Sequence, residues 1–504
     1  MPSSGDRSSQ VQQLLREAAI LGRHGNFDEA ERRYRSIQQL LRRAHDPDAH
    51  YNFGVVLQGL KRYEDALDQF QKSLALRPGA DALTNIGVCQ QILGRHAQAL
   101  DSCRGALALD HNLPEAHNMA GNALQSLGQH EEAIAHYEKA IAKRLDFAIA
   151  HINLGNALEA LRRHDEAVLS YQRAQQFSPD ESGGDYYEAV ARLRMGDYRE
   201  GWRKYEGRWR CNDFPTAVRK LPQPLWLGRE DLTAKTILLH AEQGLGDTIQ
   251  FVRYARLLAR AGAKVILEGQ PELVSLLGAI EGADRVIAHG ERLPPFDVRC
   301  PIPSLPLALR TRLDTIPSET PYLHASPEGL TKWRSRMEAL GTPRVAIAWA
   351  GSSLHANDRN RSMALARLGS LLDAPVRFVS IQRELRDGEA GILDGGDGRI
   401  THLGSEFADF TDTAAVIALA DLIVSVDTSV AHLAGAMGKP VWILLPFAAD
   451  WRWMLDRADT PWYPTARLFR QPALSDWDSV IARVREEMIY MLAGTSVQKN
   501  FILP

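Results

Sequence analysis

GNALQSLGQHEEAIAHYEKA (121–140) sets a small residue, Gly121, twelve positions before another, Ala133, with a bulky ring, Tyr137, four further on. The same spacing recurs in phase along the chain. Glycines stand at Gly54, Gly87, Gly121 and Gly155, separated by 33, 34 and 34 residues. Ala66, Ala99, Ala133 and Ala167 follow at one offset, and Phe70, Cys103, Tyr137 and Tyr171 at the next. Antiparallel helices approach closely only where side chains are small, so each period reads as one helix pair, its bulky residue filling the gap towards the next repeat. Pro78 and Pro179 end their repeats, where a missing N–H is harmless. Two weaker copies flank the set, one with Gly25, Ala30 and Tyr34, the other through GDYREGWRKYEGRW (196–209).

A period of 34 with these offsets is the tetratricopeptide signature, and it predicts an α-helical solenoid over 10–212. Such a solenoid offers a concave groove to a partner protein. Asn52, Asn85, Asn118 and Asn153 each precede their repeat glycine by two or three residues, which puts them on one helix face. Their amides either bind the backbone of an acceptor protein in the groove or bond neighbouring repeats; both readings stand at this point.

Prolines (Pro215, Pro222, Pro224) then interrupt the helical pattern, and 213–232 reads as a linker or a strap joining the parts. Beyond it, short apolar strands alternate with amphipathic helices, as in a doubly wound parallel sheet. TILLHA (236–241), KVILEG (264–269) and RVIAHG (285–290) form a first Rossmann-like lobe, 233–325, whose end is rich in proline. RVAIAWAG (344–351), VRFVSIQ (376–382), RITHLG (399–404), LIVSVD (422–427) and PVWILLP (440–446) form a second, 326–492. The expected class is a tetratricopeptide solenoid followed by an α/β region of two Rossmann-like lobes, the outline of a GT-B enzyme and also of other two-lobed nucleotide or sugar binders.

Ligands of open parallel sheets bind beyond the carboxyl ends of the strands. HAEQGLGDTIQF (240–251) lies there in the first lobe. Gly244 and Gly246 allow a tight turn, and Asp247 is then either a helix cap or a general base. In the second lobe SVDTSVAHLAGAMGKPVWILLP (425–446) takes a buried strand into a helix beginning at Asp427, Thr428 and Ser429. A helix start with two hydroxyls suits a phosphate, and His432 lies one turn on from Thr428. A third segment, WAGSSLHANDRNRSM (349–363), gathers Trp349, Gly351, Asn357 and Arg361, where an arginine can neutralise a departing diphosphate. Gln382 can reach the nucleotide, and Trp451 and Trp453 either stack on a ligand or pack in the core.

At 425–446 the chain resembles heptosyltransferase-type glycosyltransferases, whose pattern D-[ST]-G-x-x-H-[LV]-A-x-A-x-G-x-P it matches at Asp427, Thr428, His432, Leu433, Ala434, Ala436, Gly438 and Pro440. It departs at Ser429, where that family has Gly. Gly246-Asp247 resembles the family's early glycine-aspartate, which implies that Asp247 is the catalytic base and that Thr428 to His432 hold the donor phosphate. GDYREGWRKYEGRW, ILLHAEQGLGDTIQFVRYA and AADWRWM-x-x-R-x-x-T-PWYP are similar to bacterial fusions of tetratricopeptide repeats to such an enzyme. Some of these are thought to glycosylate flagellin captured by the repeats. The resemblance implies a nucleotide-sugar donor, a protein acceptor and inversion at the anomeric carbon. The alternative is a scaffold whose second region binds a nucleotide without turnover.

Composition narrows the remaining classes. A formal net charge of −3, with 59 basic and 62 acidic residues, argues against a nucleic-acid partner. Cys89, Cys103, Cys211 and Cys300 are scattered, which fits a reducing compartment. Asp46-Pro47-Asp48 lies in the repeats and reads as a turn. With no HExxH motif, a metal-independent transferase without a cofactor is expected. The opening MPSSGDRSSQ lacks the features of a signal peptide, and no apolar run approaches the ~20 residues that span a bilayer. A cytoplasmic protein is the expectation.

Overall fold

The computed structural model describes residues 46–494 except 180–182, 212–213, 215, 217, 243, 356 and 395–397, with scattered positions between 11 and 39. The weak copy marked by Gly25, Ala30 and Tyr34 lies outside the described residues. The chain divides into two compact units, 1–184 and 185–504.

The first unit is a tetratricopeptide solenoid of paired helices: α1 (Pro47–Gly59) with α2 (Tyr63–Leu76), α3 (Ala80–Ile92) with α4 (His96–Leu109), α5 (Pro114–Ser126) with α6 (His130–Lys143), and α7 (Ala148–Ala160) with α8 (His164–Phe177). Asp46 does not make a turn of its own. It caps α1, accepting from the backbone N–H groups of Asp48 and Ala49. Within each pair the repeat glycine faces the bulky residue of the same repeat, not the gap to the next one. A β-carbon on Gly121 would stand 2.5 Å from the Tyr137 ring, and one on Gly54 would stand 2.6 Å from Phe70. Gly155 meets Tyr171 in the same way, while Gly87 faces the compact Cys103, whose Sγ would be 2.9 Å away. The glycine is therefore a packing requirement: the ring occupies the volume that a side chain would need.

The second unit holds two parallel sheets. In the first the order is β3-β2-β1-β4, from β1 (Thr236–His240), β2 (Lys264–Gly269), β3 (Arg285–Ala288) and β4 (Val298–Pro301). In the second it is β10-β9-β8-β5-β6-β7, from β5 (Arg344–Ala348), β6 (Arg377–Ser380), β7 (Ile400–His402), β8 (Leu422–Val426), β9 (Val441–Leu445) and β10 (Ala466–Arg470). All pairings are parallel, and β8 and β9 are buried along their whole length, as sheets covered on both faces require. β4 and β10 were not anticipated. β4 lies in the proline-rich end of the first lobe, and β10 follows an aromatic run without alternation.

One segment falls elsewhere than expected: GDYREGWRKYEGRW belongs to the second unit, where Trp202 is 2 % exposed and meets Tyr198, Tyr205, Phe251 and Trp451 edge-on, at ring-centroid distances of 5.2–6.0 Å. Pro224 and Trp226, in the expected linker or strap, pair with the first sheet. Trp226 N–H donates to the Arg299 carbonyl (2.8 Å) and Arg299 N–H to the Pro224 carbonyl (3.0 Å), so this strap lies along β4. No helix among the described residues is long and apolar enough to cross a membrane.

The glycine–ring packing predicts that Gly121→Ala destabilises the chain by about 1–3 kcal/mol through overpacking. Gly59→Ala, where nothing lies within 4 Å, should be neutral or stabilising. Urea unfolding followed by far-UV circular dichroism checks both, and equal midpoints for the two variants would contradict the packing argument.

Candidate active site

The first lobe delivers Asp247. After β1 the chain turns at Gly244, the N-cap of the helix Leu245–Phe251, which carries no side-chain cap bond. Asp247 sits in the first turn of this helix and does not cap it. Its carboxylate forms an ion pair with Arg452, and its Oδ2 lies against the Cα of Gly244, where a β-carbon would collide with it. Burial raises the carboxyl above its usual range, and Asp450 adds to this, while Arg452 and Arg208 oppose it.

The second lobe delivers the helix Ser429–Ala436, directly after β8. Thr428 caps it, accepting from Val430 N–H (3.3 Å), with Ser425 Oγ at the same distance from its hydroxyl. Asp427 is buried just ahead of this cap, and burial together with the charge of Asp450 pushes its carboxyl up to about 6. Arg361 Nη1 donates to the Asp427 carbonyl (3.1 Å), and its guanidinium lies on Gly351, where a β-carbon would come within 2.6 Å of it. Arg361, Gly351 and the start of this helix are therefore together in space.

His432 joins the lobes. A β-carbon on Gly246 would approach its Cδ2 to 2.8 Å, so the glycine lets the two helices meet. The imidazole stacks on Trp453 (5.3 Å between centroids, 23°), and its Nδ1 shares a hydrogen bond with the Tyr463 hydroxyl (2.9 Å). Burial and the nearby Arg452 lower its pKa to about 3. At neutral pH it is an uncharged ring, which brings no positive charge to a phosphate.

Other candidates are engaged elsewhere. Trp349 is fully buried, and its Nε1 donates to Glu389 (2.9 Å). Gln382 Oε1 accepts from the backbone N–H groups of Trp349 (3.2 Å) and Ala350 (3.1 Å), while its Nε2 donates to the Glu384 carbonyl (3.1 Å). That amide shapes the loop after β5. Asn357 Oδ1 accepts from Asn360 Nδ2 (2.7 Å) at the edge of the same loop. Trp451 and Trp453 are both core residues, 2 % and 0 % exposed.

Arg452, between those tryptophans, and Asp450, just before them, were passed over. Asp450 accepts from Arg452, and burial would raise its carboxyl, but the charge and hydrogen bonds of Arg452 outweigh this and hold it below the usual range. A buried network, also unforeseen, ties Arg208 to Glu206, Glu242 and Ser304 at 2.7 Å each. The signal available was an acidic and a basic residue inside an aromatic run, where an unpaired charge would be costly.

The groove candidates belong to the first unit. Asn85 Nδ2 donates to the Tyr51 hydroxyl of the preceding repeat (3.0 Å) and to the Asp81 carbonyl (3.1 Å). Asn153 Nδ2 donates to Asn118 Oδ1 (3.0 Å), and Asn118 is buried. These three amides bond within and between repeats, whereas Asn52 is exposed.

A pH effect follows from Asp427. Its folded-state value lies above the ~3.9 of an unfolded aspartate, so the folded state holds this proton more tightly. That contribution favours folding at low pH and is lost as pH rises through about 6. Asp427→Asn, which cannot ionise, should therefore gain in Tm relative to the native chain between about pH 4 and pH 7. Thermal melts across that range check this, and a Tm difference that stays flat would contradict it.

Comparison with known proteins agrees with this layout. Residues 47–80 and 118–182 match tetratricopeptide-repeat families, and residues 403–444 match glycosyltransferase family 9 (heptosyltransferase). The curated protein FlbA of Caulobacter vibrioides is 26% identical over 334 residues, which cover 59% of this chain and 54% of that protein. The chain thus spans about half the length of this relative. Among solved structures, a thermophilic tetratricopeptide-repeat protein of Thermus thermophilus matches at 23% identity and a TM-score of 0.30, over 32% of this chain and 89% of its own. MamA of Desulfovibrio magneticus RS-1 matches at 22% identity and a TM-score of 0.30, over 35% and 98%. The family matches support glycosyl transfer in the second unit and protein binding by the first, as in a fusion of tetratricopeptide repeats to a heptosyltransferase-like glycosyltransferase.

Proposed function

We propose that this chain transfers a sugar from a nucleotide-sugar donor to a protein acceptor recruited by the repeats, in a single inverting displacement that uses no metal. A flagellin-like acceptor belongs to the same proposal. The observation that supports it best is the ion pair of Asp247 in one lobe with Arg452 of the other, beside Asp450, whose charge also acts on Asp427 at the helix start where Arg361 is held. In this reading the acceptor hydroxyl gives its proton to Asp247 as its oxygen attacks the anomeric carbon. The bond to the donor phosphate breaks on the opposite side. The released charge is met by Arg361 and by the N–H groups that open the helix at Ser429. His432, uncharged, packs the two helices together. Trp349 and Gln382 shape the loop that carries Gly351.

Turnover of a panel of nucleotide sugars, with a bacterial protein lysate as acceptor, tests the reading. One donor should support transfer. Asp247→Asn should lower the rate by about 10²–10⁴-fold while the nucleotide still binds. Binding of nucleotide without turnover in either form would favour a scaffold instead.

A further inference from the structure

Arg452 takes no part in the steps above, yet its guanidinium is the point at which the two lobes are tied beside Asp247. It stands on the short turn Trp451–Trp453 after β9, where Asp450 accepts from its backbone N–H (3.0 Å). Each arm of the fork has its own partner. Nε donates to Gln250 Oε1 (2.7 Å), Nη1 to Asp450 Oδ1 (2.8 Å), and Nη2 to Asp247 Oδ1. Asp247 and Gln250 are three residues apart on one helix face, and the planar fork reaches each with a separate nitrogen. The guanidinium lies 4.3 Å from the Trp451 ring centroid, and its side chain is 11 % exposed.

We propose that Arg452 is a positioning residue for the transfer. It holds one oxygen of Asp247 so that the other, over Gly244, is turned to the acceptor hydroxyl. The proposal rests on the transferase reading above. Two observations carry it: the fork engages Oδ1, and Oδ2 lies over a residue without a side chain, on a carboxylate that keeps 26 % exposure.

Ionisation of Asp247 depends on the same contact. The groups around it are Asp450 and Arg452 from the turn after β9, Arg208 and Tyr205 from the segment 205–210, and Tyr186 from the helix Gly184–Met195. Glu242 comes from its own loop, His355 from the loop after β5, and the neutral His432 lies beyond Gly246. Without Arg452 the partly buried carboxylate would face Asp450 and Glu242 and would hold its proton to higher pH.

The test measures kcat and KM against pH for the full chain, Arg452→Gln and Arg452→Lys, with whichever nucleotide sugar of the panel supports turnover. Arg452→Gln should lower kcat by about 10²-fold and move the acid limb up by about one pH unit or more, with donor KM changed less than about 3-fold. Arg452→Lys should recover part of both. A fall in kcat with an unmoved pH profile, or a rise in KM with kcat unchanged, would overturn the proposal and make Arg452 a structural or donor-binding group. If the native chain turns over no nucleotide sugar, the transferase reading fails separately. The clasp is then judged by unfolding of Asp247→Asn, Arg452→Gln and the double variant. A coupling of about tenfold or more in the unfolding constant supports it, and additivity overturns it.

Discussion

The His432 imidazole resting on the bare Cα of Gly246 sets how closely the helix starts of the two lobes can approach. Everything proposed for the site follows from that approach. Asp247 is the next residue along, and the helix that carries His432 is the one opened by Thr428. A side chain at position 246 would drive the pair apart, and Asp247 would no longer reach Arg452. The neutral state of His432 suits this role, because a charged ring against Arg452 would repel it.

The same region buries cations and gives each a full set of partners. Arg208, Arg253 and Arg452 are all nearly or wholly excluded from water. Arg253 donates to the Trp462 carbonyl (2.8 Å), a second tie between the lobes, and to the Tyr322 hydroxyl (2.8 Å) within its own. Removing one partner of a buried charge typically costs about 3–5 kcal/mol, so such networks hold one geometry rigidly. The aromatic cluster around Trp202 supports them from behind. Trp451, whose ring lies beneath Arg452, packs on Trp202, Phe251 and Trp462. A segment with the outward marks of a worn repeat thereby buttresses the turn that bears Arg452.

Repeat phase was legible because packing demands it: Gly121 and Tyr137 compete for one volume, and the spacing records that competition. Strands such as β2 and β8 were legible as apolar runs between glycines and helix signals. Partners were harder to read. Periodicity shows that Trp202 faces inward but not which neighbour it faces, so 196–209 looked like part of the solenoid. Gln382 and Trp349 have the chemistry to bind a ligand, yet their polar atoms are engaged by the loop after β5. Arg452 was missed for the converse reason: its three partners come from positions 247, 250 and 450, and no local pattern brings them together. Gly246, Asp247 and Thr428 stood out in the sequence because strand ends and helix starts carry their own signals, and Arg361 because it is a cation in a polar loop.

The most direct measurement is the rate of transfer at saturating donor by Gly246→Ala, alone and combined with His432→Ala. The account predicts a loss of about tenfold or more for the single change, because a β-carbon pushes Asp247 out of line with the second lobe. It also predicts a partial recovery when the ring that this carbon strikes is removed. A rate for Gly246→Ala equal to that of the native chain would contradict the claim that this contact assembles the site.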